Sequence, residues 1–161
     1  GTIEDFSVLP RLYRDSVVLE NWEGTHNTLC AQVLRDFAQR QLHFYWIEEL
    51  REAASQVDLP QLEPHRNRAV EELDSIAATI ERLLEGDPDH ASLFFRPVVD
   101  RMCALGAFVA LLLELCWESG QQIESTKSVV VDLFHRLYLD RSDTGEVDNF
   151  PGLIKTVAST I

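Results

Sequence analysis

Residues 70–86 read VEELDSIAATIERLLEG, and their spacing decides the fold class. Val70, Leu73, Ile76, Ala77, Ile80, Leu83 and Leu84 recur at steps of three and four, which gathers them into one stripe of an α-helix. Gly86 stands where a helix C-cap belongs, and Pro64 upstream marks a start, so the spacing predicts a helix over 64–85. Working outward, the run from Thr25 to about Ser55 places Leu29, Val33, Phe37, Phe44, Ile47 and Leu50 on one face of a long helix. Downstream, Asp87 or Asp89 can cap a helix that carries Leu93, Val98, Met102, Leu105, Phe108, Val109, Leu112 and Leu115 to about Gly120. Pro97 kinks its first turns or marks its true start. A last strong helix is predicted over 123–139, with Val129, Val130, Leu133, Phe134 and Leu137 inward. No segment alternates with period two for long enough to make a strand. The expectation is an all-α fold, an antiparallel up-down bundle of about four long helices plus a short N-terminal helix. The residues from 141 to 161 read as a polar, turn-rich, loosely attached tail.

Composition sets the outer bounds. The chain has 161 residues, 45% of them hydrophobic, and carries 27 acidic against 14 basic side chains, a net charge of −13. That length suffices for one self-supporting core without a metal or disulfide staple. The charge has the wrong sign for displacing counterions from phosphates, so nucleic acid and anionic membranes are poor partners. From Asp36 onward acids outnumber bases 22 to 11, which argues against DNA binding by that region as well. Met102 to Leu113, the most apolar run, is too short for a membrane span. No basic region followed by an apolar stretch and cleavage site marks the start. Cys30, Cys103 and Cys116 form no even framework, and the last two fall about 20 Å apart along one predicted helix. A reduced, cytoplasmic protein is expected.

The chemically informative segment is the first 35 residues. Glu23 precedes Gly24 between two helical stretches, where a carboxylate can project into a cleft and the glycine removes a Cβ that would obstruct a ligand. Thr25 is a candidate N-cap, which would set the positive end of the following helix beside that carboxylate. By residue chemistry alone, an ordinary helix-turn-helix corner with a solvated Glu explains the same pattern. However, Leu9-Pro10-Arg11-Leu12-Tyr13-Arg14-Asp15-Ser16, followed by Trp22-Glu23-Gly24-Thr25-His26-Asn27, resembles the C-terminal end of the flavin-dependent acyl-CoA dehydrogenases. In that family an Arg-Asp pair precedes an aromatic-Glu-Gly-Thr segment by about eight residues, and the spacing is kept here. Trp22, where most members have Tyr, and Pro10 are more similar to the branch of the bacterial alkylation-response flavoproteins. Those proteins, like the very-long-chain enzymes, continue into an extra helical domain.

The resemblance implies α,β-dehydrogenation of an acyl-CoA thioester, with hydride passing to FAD and electrons onward to an electron-transfer flavoprotein. Glu23 would be the base that removes the α-proton, although some members place their base on another helix. Gly24 and Arg35 would contact the substrate, and Thr25, His26 and Asn27 would touch FAD. Arg14 and Asp15 match a structural pair. The similarity covers about Gly1 to Arg35, under a quarter of the chain, and a complete dehydrogenase core is more than twice this length. A Gly-x-Gly-x-x-Gly fingerprint is missing from the sequence. Residues 1–36 are therefore expected to be the end of a dehydrogenase C-terminal helical domain, 37–140 a helical-bundle extension continuous with it, and 141–161 the tail. Taken alone, such a piece is not expected to bind FAD.

Other constellations carry less. Asp132-Leu133-Phe134-His135 has the carboxylate-imidazole spacing of di-iron bundles, but no second pair and no further inward carboxylates accompany it, so no metal site is expected. Cys30 near His26 reads better as a buried helix residue than as a nucleophile. His43-Phe44-Tyr45-Trp46 cannot all face one core, and Met102 to Leu113 is apolar all round, so either can leave a surface for a second copy. A homo-oligomer is expected on that ground, and a non-catalytic helical interaction module is the rival reading of the whole chain.

Overall fold

In a computed structural model that describes residues 8–19, 25–123, 125–141 and 147–159, the chain is all-α, and no strand occurs among the described residues. Among the described residues eight α-helices follow in order: α1 (Leu9–Leu19), α2 (His26–Arg40), α3 (Leu42–Ser55), α4 (Glu63–Glu85), α5 (Pro88–Phe94), α6 (Arg96–Gly120), α7 (Lys127–Phe134) and α8 (Phe150–Ala158). A 3-10 turn (Pro60–Leu62) leads into α4, and a π turn (His135–Leu139) continues α7.

The helix predicted over 64–85 is α4, which buries Ala69, Leu73, Ile76, Ile80 and Leu83. It pairs with α6, whose inward stripe is Val98, Met102, Leu105, Phe108, Val109 and Leu112. α3 packs on both, α7 and the π turn pack against α6, and α2 lies across α3, α5 and α6. Leu73, Ile76, Ile80, Leu105, Phe108 and Leu112 are all but inaccessible to solvent, so the α4–α6 seam is the centre of the core. Burying each such side chain is worth roughly 1.5–3 kcal/mol, which makes this seam the chief source of cohesion.

Three predicted boundaries moved. The helix expected from 25 to 55 is broken at Gln41, whose φ of 56° ends α2 and begins α3. The break changes the helical phase, so His43 is buried while Phe44, expected inward, is half exposed and Tyr45 projects outward. The expected kinked third helix is two elements: Asp87 caps α5 by accepting from the His90 amide at 3.0 Å, and Pro97 lies in the first turn of α6, marking its true start. The last long helix begins at Lys127 rather than 123 and is α-helical only to Phe134. Within the tail, α8 packs on α7 and Val147 is buried.

Lys127 fixes the start of α7 to the end of α6, its Nζ lying 2.5 Å from both Glu114 and Glu118. The hydrogen bond from Lys127 holds the Glu118 carboxyl below its ordinary value. On α6, the outward positions of the apolar run are filled by Cys103, Ala107 and Ala110, while Leu111 and Leu113 are half-buried against the core. The larger exposed apolar side chains lie elsewhere, with a stripe of Leu9, Leu12, Tyr13 and Val17 on α1, Val18 beside it and Val8 just ahead of the helix.

Candidate functional site

The motif segment straddles α1 and α2. Trp22, Glu23 and Gly24 lie outside the described residues. Thr25 occupies the N-cap position of α2 with extended backbone, as the sequence implied, but its hydroxyl pairs with that of Thr28 at 3.2 Å and caps no amide. Among the described residues no side chain caps the first backbone N–H groups of α2, at the positive end of the helix. Thr25, His26 and Asn27 are all exposed there, and the Asn27 side-chain oxygen accepts from Arg96 of α6 at 3.1 Å. Arg35 is exposed two turns further along α2. In α1, Asp15 faces Arg11 at 3.6 Å, an exposed pair one turn apart. Backbone amides at a helix start, beside an exposed hydroxyl, imidazole and carboxamide, can donate to the polar atoms of an anionic ligand.

Cys30, one turn after His26, is buried, and burial, with Asp100 nearby, pushes its thiol up despite the opposing charge of Arg96. A thiol so held is a poor nucleophile. Cys103 and Cys116 are free thiols on α6.

A second cluster, unforeseen as a unit, joins α4 to α7 and the π turn. His65 and His135 approach Nδ1 to Nδ1 at 2.7 Å, with the fully buried Phe108 ring against both imidazoles at centroid distances of 6.1 and 5.8 Å. The remaining nitrogens turn to carboxylates: His65 Nε2 stands 3.0 Å from Asp132, and His135 Nε2 3.3 Å from Asp140. Asp140 also accepts from Arg68 Nε at 3.1 Å, and Arg68 Nη2 donates to the Leu139 carbonyl at 2.9 Å. Arg68 further pairs with Glu72, which Arg101 of α6 holds at 2.7 Å. Burial alone would raise the Glu72 carboxyl, but the Arg101 hydrogen bond and the charges of Arg101 and Arg68 outweigh it and hold the group below its ordinary value. Burial pushes the His135 imidazole down, with His65 and Arg68 adding to the effect and Asp140 and Asp132 opposing it.

The sequence singled out Asp132 and His135 for their three-residue spacing, but the structure divides them: Asp132 serves His65, and His135 turns to Asp140. Two imidazole nitrogens on one tetrahedral zinc stand about 3.3 Å apart for bonds of about 2.0–2.1 Å, wider than the gap found here. Among the described residues no group of three or more His, Cys, Asp or Glu is arranged to hold a metal ion. A third imidazole, His43, is buried between Phe37 and Phe44 at 5.3 and 4.1 Å, and its Nδ1 has no hydrogen-bond partner among the described residues. Burial lowers its proton affinity against the opposing pull of Glu81.

No family model matches the chain, and no curated protein or solved structure is significantly similar to it. Among the described residues no helix is long and apolar enough to cross a membrane.

Proposed function

We propose that this chain is the C-terminal, all-helical part of an FAD-dependent, acyl-CoA dehydrogenase-like enzyme of the cytoplasm, with the α3–α7 bundle as its extension. The observation that carries the reading is the pair of ordered motifs, Arg14-Asp15 and Trp22-Glu23-Gly24-Thr25, at the family's separation. Two structural features support it. The exposed, uncapped start of α2 offers Thr25, His26 and Asn27 to a flavin. The exposed apolar stripe of α1 is what a helix presents when its packing partner belongs to a larger protein.

On this reading Glu23 removes the α-proton of the acyl-CoA thioester, Gly24 and Arg35 position that substrate, and Thr25 to Asn27 hold polar atoms of FAD. Bound FAD supplies the hydride acceptor, and an electron-transfer flavoprotein takes the electrons away. The test is anaerobic titration of the complete enzyme with acyl-CoA, following the flavin absorbance. Glu23→Gln is expected to keep FAD while slowing flavin reduction about 10²–10⁴-fold, the usual contribution of a positioned base. Undiminished reduction would move the base to another residue.

The same α1 stripe favours a second reading, a non-catalytic helical interaction module that assembles as a homo-oligomer through its exposed apolar faces. A complete protein that purifies without flavin and has no dehydrogenase core ahead of Gly1 would select it.

A further inference from the structure

We propose that the cleft at the break between α2 and α3 binds an organic cation, a primary ammonium carried on an apolar tail. The cleft has a volume of about 290 Å³ and lies where the last turn of α2 and the first turn of α3 meet the end of α4. Phe37, Phe44 and Leu84 give it apolar walls, and His43, Glu81 and Glu85 bring polar groups to the same space. It stands at the opposite end of α2 from the dehydrogenase-like motif and draws nothing from it.

The charge around the cleft is of one sign. Glu81 and Glu85 are one turn apart on α4, neither has an ion-pair partner among the described residues, and no lysine or arginine lines the cleft. Arg82, the basic residue of that turn, donates to Thr79 instead. Like charges one helical turn apart repel, and carboxylates at a helix C-terminus add to the negative end of its dipole. The last turn of α2 brings a second negative helix end to the same place. A cation seated there relieves all of these repulsions.

His43 specifies the kind of cation. The residue is 3% exposed and lines the cleft, and neither ring nitrogen has a hydrogen-bond partner among the described residues. A buried polar group left unpaired is costly, so the ring calls for a partner that the chain does not supply. Burial pushes its proton affinity below the ordinary imidazole value, and at pH 7 the neutral ring keeps one lone pair to accept with. An ammonium has three hydrogens to give, enough for the imidazole and both carboxylates. A metal ion fits less well, because no group of three or more His, Cys, Asp or Glu among the described residues is arranged to hold one. The tail has a place as well. Ala38 and Leu84 are shared with a smaller recess of about 100 Å³, closed by Leu34, Leu83 and Ala91, which has room for a short alkyl chain.

The test is titration of the full chain with n-hexylammonium chloride at pH 7 and low ionic strength, where exposed carboxylates are least screened, followed by ¹H–¹⁵N spectra of the backbone and imidazoles. Hexanol and hexanoate are the neutral and anionic comparisons. Saturable shifts are expected at the His43 ring and at the Gln41, Phe44 and Glu85 amides. Hexanol should bind at least about tenfold more weakly, the factor that a charge-assisted hydrogen bond supplies, and hexanoate should give no saturable shift. Glu81→Gln combined with Glu85→Gln changes only exposed side chains, and should weaken hexylammonium at least about tenfold while leaving hexanol unchanged. His43→Phe keeps a ring and removes the acceptor, for an expected loss of about three- to tenfold. If that variant does not fold, the glutamine variant still decides. Shifts that never saturate, equal affinity for hexylammonium and hexanol, or undiminished binding in the glutamine variant would each overturn the proposal.

Discussion

Phe108→Ala probes the core and the polar junction at once. The ring is wholly buried on α6, stacked on Phe134 at 5.8 Å with planes 18° apart, and it forms the apolar wall behind His65 and His135. Truncating a buried Phe costs about 3–5 kcal/mol, the sum of lost transfer energy and the cavity left behind. The upper half of that range is expected, because the neighbours cannot easily collapse: Lys127 pins α7 to α6, and Arg68 pins the π turn to α4. Against a total stability of roughly 5–15 kcal/mol, that is about a quarter or more of what holds the domain folded. For a chain of this size it corresponds to a Tm lowered by about 8–20 °C. Urea unfolding at pH 7.5 with an unchanged m value measures it, with the exposed neighbour Ala107→Ser, expected within about 0.5 kcal/mol of the parent, as control. A cost for Phe108→Ala below about 1 kcal/mol would show that the α4–α6 seam is not closed over this ring, and the account of the junction would fall with it.

The acid limb of stability should have two stages. His43 and His135 have proton affinities below the ordinary 6.5, so the unfolded chain takes up protons first, and stability present above about pH 6.5 is lost as the pH falls through that value. Glu72 and Glu118 lie below the ordinary 4.5, so their contribution persists until the pH falls below that value; urea midpoints measured from pH 8 to 3.5 should show both steps, and a flat profile between pH 7 and 5 would contradict the first. Gln41→Gly should stabilise the chain by about 0.5–1 kcal/mol, since relief of a left-handed conformation worth about 1–2 kcal/mol exceeds the entropy that glycine adds to the unfolded state. Thermal unfolding that shows a loss would mean that the Gln41 side chain supports the turn.

How far the fold was legible depended on whether local spacing or a distant partner set each element. α4 could be read from its own apolar period, because five of its residues meet the core at that period. The Asp87 cap and the start of α6 at Pro97 were equally local, resting on one side-chain acceptor and one missing N–H. The break at Gln41 had no such signal. Glutamine has no preference for positive φ, and the chain turns there because α3 must pack on α4 and α6 while α2 crosses toward α5. That turn put an imidazole in the core and a phenyl ring outside, the reverse of what hydrophobicity alone suggests.

The candidate sites divide in the same way. The dehydrogenase-like motif is a feature of sequence order, and its Glu23 lies outside the described residues, so the structure adds only the exposed start of α2. The histidine pair, by contrast, could not be read from order at all: His65 and His135 are 70 positions apart, and the visible clue, Asp132 three residues before His135, pointed to the wrong partner. The π turn explains the exchange. Its i to i+5 hydrogen bond, from the Asp140 amide to the His135 carbonyl at 3.0 Å, fits an extra residue into the turn, and the Asp140 carboxylate reaches His135 Nε2. Arg68 takes the Leu139 carbonyl that the helix end leaves free, and the same guanidinium holds Asp140 in place. A regular α-helix through 135–139 would turn Asp140 to a different angle and move its carboxylate away from His135. The placement of His135 beside Asp140 therefore rests on a backbone irregularity held by a side chain from another helix, which no spacing within residues 132–140 could reveal.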